Sequence, residues 1–179
     1  LKKLPLLALL LAAANAAAAT LEAPLIDVED GDTLLVMLEG KPTRIQLAGI
    51  DAPEESPNPK FNLDRKRTGL PTETLLDLGR RATLHLRELA PPGTALVLTG
   101  DPRARDRYGR IVMEVKRGDG LSLNAAMVRD GFARALHAPA YLPLQKEAMK
   151  AGKGIWGAAP EAARKWAGSG AAVPRGRLL

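Results

Sequence analysis

Alternation of apolar and polar residues at period two does most to limit what this chain can fold into. From Leu25 to Leu47 it runs through Leu34/Val36/Leu38 and then Ile45/Leu47 against Arg44/Gln46, with turn signals at Asp30-Gly31 and Gly40-Lys41-Pro42. Three short strands, each burying one face, are expected there. The same pattern returns in Ala95 to Thr99 and in Arg110 to Lys116, where Ile111, Met113 and Val115 face inward against Arg110 and Glu114. Between the two groups, Thr72 to Leu89 carries apolar residues at Leu75, Leu78, Ala82, Leu86 and Leu89 before Pro91-Pro92-Gly93, the mark of an amphipathic helix with a firm stop. Two further helices are expected over Leu123 to Asp130 and Pro143 to Ala151, with Gly131 and Gly152 just past their ends. Five short strands with a helix inserted between the third and fourth predict an α+β fold. Its core would be a five-stranded OB-fold Greek-key barrel with about three helices packed at one side.

At 179 residues the chain has room for one domain with short appendages. The core must be aliphatic, because the chain has only two each of Phe, Trp and Tyr. The absence of cysteine removes disulfides, thiolate metal sites and a cysteine nucleophile from consideration, so any metal has to sit on oxygen or histidine. His85 and His137 are too far apart for a helical zinc pair, and a zinc protease is excluded on that ground. A net charge of +6 biases the chain toward polyanions. Two stretches concentrate that charge: Glu55 to Pro71, read as a long basic loop because of Pro57, Pro59, Gly69 and Pro71, and a second loop carrying Arg103, Arg105 and Arg107.

The termini read differently from the middle. Lys2 and Lys3 precede an uncharged Leu- and Ala-rich run to Thr20, shorter than a membrane span and ending in small residues, which is the pattern of a secretory signal peptide over residues 1–19. A folded domain over 20–158 and a basic Ala/Gly-rich tail over 159–179, starting as a frayed helix, complete the division.

Three turn motifs carry the candidate chemistry. Asp30-Gly31-Asp32-Thr33 is by itself a hairpin signal, and an EF-hand is excluded because Leu35 and Lys41 stand where that loop needs Gly and Glu. Gly49-Ile50-Asp51-Ala52-Pro53-Glu54 places two carboxylates three residues apart at a strand end, stiffened by proline. Asp106-Arg107-Tyr108-Gly109-Arg110 is a charged turn leading into a strand. Together they supply oxygen ligands for a divalent cation, a carboxylate to manage water and two guanidinium groups, which is what phosphodiester hydrolysis requires.

In order and spacing these motifs resemble the staphylococcal nuclease (thermonuclease) family over about Leu25 to Trp156, including the helix Leu123 to Gly131 and the closing Gly154-Ile155-Trp156. The resemblance implies that Asp32, Asp51 and the backbone carbonyl of Ala52 bind Ca²⁺, and that Glu54 activates or orients the attacking water. It implies that Arg44 and Arg110 clamp the phosphate, that Asp30 supports the metal from behind, and that Tyr108 and Arg107 contact the nucleotide. It further implies a monomeric, calcium-dependent endonuclease acting on DNA and RNA with little sequence specificity, and the N-terminal run adds a secreted or periplasmic location with no stable membrane association after signal cleavage. The chain departs from the family where tyrosines pack on the nucleotide: Arg134 to Pro139 offers His137, and Tyr141 follows. His85 is expected at a helix surface or boundary. Competing readings are a non-catalytic OB-fold module that binds nucleic acid, a basic protein binding cell-surface polyanions, and a ribonuclease using the two histidines; the first two leave the carboxylates unexplained.

Overall fold

A computed structural model describes residues 19–168. Apart from Ala19, the stretch read as a signal peptide lies outside the described residues, as does the tail from residue 169 onward. Among the described residues no helix is long and apolar enough to cross a membrane.

The first three strands are β1 (Ala19–Asp30), β2 (Thr33–Leu38) and β3 (Lys41–Leu47), and two more follow the long helix, β5 (Ala95–Gly100) and β6 (Ile111–Arg117). They close a barrel in the order β1-β2-β3-β6-β5, with β5 returning to β1. The β3–β6 pair is parallel and the other pairs are antiparallel. The inward set matches the period-two reading: Leu34, Val36, Ile45, Leu47, Met113 and Val115 are fully buried. One turn falls a residue earlier than expected. Glu39 and Gly40 take φ of 50° and 75°, the left-handed pair that a tight hairpin demands, so Lys41 and Pro42 already belong to β3. A short bridge, β4 (Ile50–Asp51) with β7 (Arg134–Ala135), extends the structure beside the barrel.

The helices are α1 (Pro59–Thr68), α2 (Thr72–Leu89), α3 (Leu123–Arg129), α4 (Leu142–Lys150), α5 (Ile155–Ala158) and α6 (Pro160–Ala167). Helix α2 spans the expected residues and divides its apolar stripe between two clusters. Ala82 and Leu86 pack on the barrel, while Leu75 and Leu78 face a second core with Phe61, Met149, Trp156 and Trp166. Its small residues bring the motif turns together. A Cβ on Gly79 would lie 2.1 Å from the carbonyl oxygen of Glu54, and one on Gly31 would lie 2.6 Å from Cβ of Ala82 and 2.8 Å from Cβ of Ala52. Any side chain larger than hydrogen at these two places would push the acidic turns apart.

Two expectations are corrected. The basic stretch Glu55 to Pro71 is not a continuous loop, because Pro59–Thr68 forms helix α1. Asn58 caps it, its side chain accepting from the Phe61 N–H at 2.8 Å, Pro59 occupies the first turn, and Gly69 ends it with φ of 63°. Only Phe61 and Thr68 are buried in this helix, so it shows none of the 3.6-residue periodicity by which helices are read. The start of the tail is no frayed helix either. Helix α6 buries Trp166 completely, and the Trp166 indole N–H donates to Asp64 of α1 at 3.3 Å. Folded structure therefore runs past residue 158 because this indole fills the second core.

Replacing Trp166 with Ala should destabilise the chain by about 3–5 kcal/mol in urea unfolding, the usual cost of emptying a site of that size. A variant within about 0.5 kcal/mol of wild type would show that α6 is not part of the folded unit.

Candidate active site

The β1–β2 turn, the segment after β4 and the start of α1 meet at one end of the barrel, where Asp30, Arg44, Glu54, Asn58, Pro59, Lys60, Tyr108 and Arg110 line a cleft of about 160 Å³. Below its floor are the carboxylates of Asp32 and Asp51, both buried. The Asp32 carboxylate acts as a strut: Oδ2 accepts the Ala52 N–H at 2.8 Å, and Oδ1 accepts the Thr33 hydroxyl at 3.1 Å. This ties the β1–β2 turn to the segment after β4 and fixes the Ala52 peptide.

Three oxygens converge on a single cation. The Lys60 ammonium donates to the Ala52 carbonyl at 2.8 Å and to Glu54 Oε1 at 2.5 Å, and pairs with Asp51 Oδ1 at 2.8 Å. The second oxygen of Glu54 accepts from the Asn58 amide at 2.5 Å. The second oxygen of Asp51 is held by Arg134 through Nε at 2.8 Å and Nη2 at 2.7 Å. Burial opposes the charge on Lys60, but Asp32, Asp51 and Glu54 outweigh it and hold the ammonium far above the ordinary lysine range. Burial likewise works against the Asp51 carboxylate, and Lys60 and Arg134 reverse it, leaving Asp51 below the usual carboxylate range. Asp30 lacks such partners. Burial first, then the charges of Asp32 and Glu54, push its carboxyl well up.

Two guanidinium groups share the lining. Arg110 is nearly buried, donating Nε to Asp106 at 2.7 Å and Nη1 to the Thr33 hydroxyl at 2.6 Å, with Nη1 3.6 Å from Asp32. Asp106 also accepts the Arg110 and Tyr108 N–H groups, so one carboxylate shapes the turn and aims the guanidinium. Arg44 leaves the barrel beside it, half-exposed, with Nε on Glu29 at 2.6 Å.

Of the residues singled out by sequence, Asp30, Arg44, Glu54, Tyr108 and Arg110 come together around the cleft, with Asp32, Asp51 and the Ala52 carbonyl beneath. Arg107 does not line it; its guanidinium lies over the Tyr108 ring at 4.8 Å. Tyr141 is not free to stack on a nucleotide, since its hydroxyl donates to Glu114 at 2.7 Å and its ring packs against Gly49. His137 is exposed and outside the lining, and His85 pairs with Asp130 at 3.0 Å while stacking on Phe132. Sequence reasoning missed Lys60, Asn58 and Arg134. The Asn58-Pro59 pair is a helix-start signal that would have revealed α1 and placed Lys60 in its first turn. Nothing local to Arg134 points across 83 positions to Asp51.

These residues can hold a hard cation. Two carboxylates and a main-chain carbonyl meet at one point, already taken by a positive group, and all are oxygen donors of the kind calcium accepts. Among the described residues no three acidic or histidine side chains group as a preformed metal cluster, and the third oxygen at this point is the Ala52 carbonyl.

Such a barrel, with a cation cradle and two guanidinium groups at one cleft, has the layout of a site for a phosphate ester. The chain belongs to the staphylococcal nuclease family: the family model described as staphylococcal nuclease homologue matches residues 44–158. It is 35% identical over 135 residues to an uncharacterized endonuclease of Escherichia coli, covering 73% of this chain and 74% of the relative. It is 30% identical over 139 residues to the thermonuclease of Staphylococcus hyicus, covering 73% of each, and 31% identical over 170 residues to protein ParB of Escherichia coli, covering 87% and 83%.

Because the Asp51 carboxylate is held down by its partners, its contribution to stability is present above the unfolded carboxyl pKa of about 4 and is lost as pH falls through the lower folded value. Arg134→Met should therefore cost about 1–3 kcal/mol at pH 7, a cost that shrinks below about pH 4. A deficit constant from pH 7 to pH 3 in urea titrations would contradict the pairing.

Proposed function

We propose that this protein is a calcium-dependent endonuclease that hydrolyses phosphodiester bonds of DNA and RNA with low sequence specificity. The observation that carries this reading is the cation cradle of Asp51, Glu54 and the Ala52 carbonyl, at a cleft that Arg44 and Arg110 also line. Asp32, Asp51, the Ala52 carbonyl and Glu54 would hold the ion, the Asp32 carboxylate also fixing the Ala52 peptide. When bound, Ca²⁺ supplies Lewis acidity toward a phosphate oxygen. Every other part of the chemistry falls to the chain. Arg110, locked by Asp106 and Thr33, presents a planar donor face that strengthens as charge builds on the phosphate oxygens. Arg44, half-exposed, supplies a second contact. Glu54 orients a water and accepts its proton as the water oxygen bonds to phosphorus, and the bond to the leaving oxygen breaks, that oxygen taking a proton from solvent. Tyr108, more than a third exposed at the mouth, offers a face to the nucleotide.

The basic and apolar N-terminal run supports export, so the enzyme is proposed to act in the periplasm or as a secreted protein, without stable membrane association, and is proposed to be a monomer.

Incubating the chain with DNA or RNA in calcium or in chelator, and identifying the phosphorylated end of the products, tests the reading directly. Cleavage is expected in calcium and little in Mg²⁺, which demands stricter octahedral geometry than turn-borne ligands give. Binding without cleavage in either ion would favour a non-catalytic nucleic-acid module. Glu54→Gln keeps size and polarity but cannot take a proton, and its turnover should fall by roughly 10² or more. Arg110→Lys keeps charge but loses the fork, and turnover should fall by roughly 10² to 10³ with substrate affinity much less changed. Turnover within about twofold of wild type in either variant would remove that residue from the catalytic set.

A further inference from the structure

We infer that Lys60 is a resident cation of the metal site, one that a divalent ion must displace before it can bind between Asp51, Glu54 and the Ala52 carbonyl. The inference rests on the calcium reading above and concerns a residue that reading does not use. Its basis is geometric. The ammonium lies 2.5–2.8 Å from one oxygen of each of these three groups, so a metal ion placed among the same oxygens would coincide with it. The two cations cannot share the point, since like charges at that separation repel strongly.

Nothing about the helix itself calls for a lysine there. Lys60 stands in the first turn of α1, where the helix dipole disfavours a positive charge, and its side chain is only 19% exposed. The basic residues that suit the dipole, Arg65, Lys66 and Arg67, lie in the last turn. What compensates Lys60 is the acidic cradle alone. The neighbouring cations are committed elsewhere: Arg134 to the other oxygen of Asp51, and Arg110 to Asp106 and Thr33. In the absence of metal, Lys60 therefore neutralises Glu54 Oε1 and Asp51 Oδ1.

The helix that carries it is anchored. Phe61 is buried next to it, Asn58 caps the first turn, and Arg67 and Asp64 bond to Trp166 of α6. Displacement consequently requires only the flexible four-carbon side chain to swing, with the backbone of α1 kept in place.

Calcium titration by calorimetry on wild type, Lys60→Met and Lys60→Gln, at one pH and ionic strength, tests this. Both variants should bind calcium about tenfold or more tightly than wild type, because the competing charge is gone. Their melting temperatures should also rise more on adding a fixed calcium concentration. In wild type, which removes any doubt about folding, the Lys60 ammonium resonance held by three acceptors in chelator should shift and broaden on saturation with calcium. Equal affinity in all three proteins, or an unchanged Lys60 resonance at saturation, overturns displacement while leaving the calcium reading standing. Absence of calcium binding in all three overturns that reading, and displacement with it.

Discussion

Carboxylates crowded at one end of a small barrel repel one another, and the structure around the cleft is arranged to hold them there. Asp30, Asp32, Asp51 and Glu54 gather within one cleft and its floor, where like charges lie close together and little water reaches them. Each of the buried ones has a defined counterweight. Asp32 receives a backbone N–H and a hydroxyl, Asp51 receives Lys60 and Arg134, and Glu54 receives Lys60 and Asn58. Asp30 has none of comparable strength, and its carboxyl is the one pushed upward. A divalent ion in the cradle would place two positive charges where Lys60 places one, adding counter-charge to the cluster.

The scaffold brings these groups together by subtraction. Helix α2 presents Gly79 and Ala82 where the acidic turns must approach, and Gly31 meets that face with no side chain of its own. On the far side, α6 reaches the site through two arms. Trp166 bonds to Asp64 and Arg67 of α1, which carries Lys60, and its ring lies under the Arg134 guanidinium at 5.2 Å, the same group that holds Asp51. A helix near the end of the described chain thus sets the position of cations on both sides of the cradle.

Strands and the long helix were legible because burial writes a period into sequence. Leu34/Val36 and Ile111/Met113/Val115 alternate for the same reason that they are inside, and α2 repeats its apolar residues because one face packs. Helix α1 buries just two residues and leaves no period, so prolines and basic residues there resembled a loop. Trp166 was hidden in an Ala-, Gly- and Arg-rich context that composition alone marks as a tail. At the site, residues within a motif could be found from spacing, whereas Lys60 and Arg134 matter through partners set by the fold. The direction of a motif residue was equally invisible: Arg107 and Tyr108 are neighbours in one turn, yet only Tyr108 lines the cleft.

The central claim is that the oxygens of Asp51, Glu54 and Ala52 form a cation site that Lys60 fills in the absence of metal. A crystal structure of the wild-type chain grown with calcium and a short nucleotide tests it most directly. The account predicts an ion among these three oxygens, facing a phosphate held by Arg44 and Arg110, with the Lys60 ammonium moved out of the cradle. A well-ordered ion elsewhere, or Lys60 still seated between Asp51 and Glu54 with the nucleotide bound, would contradict it.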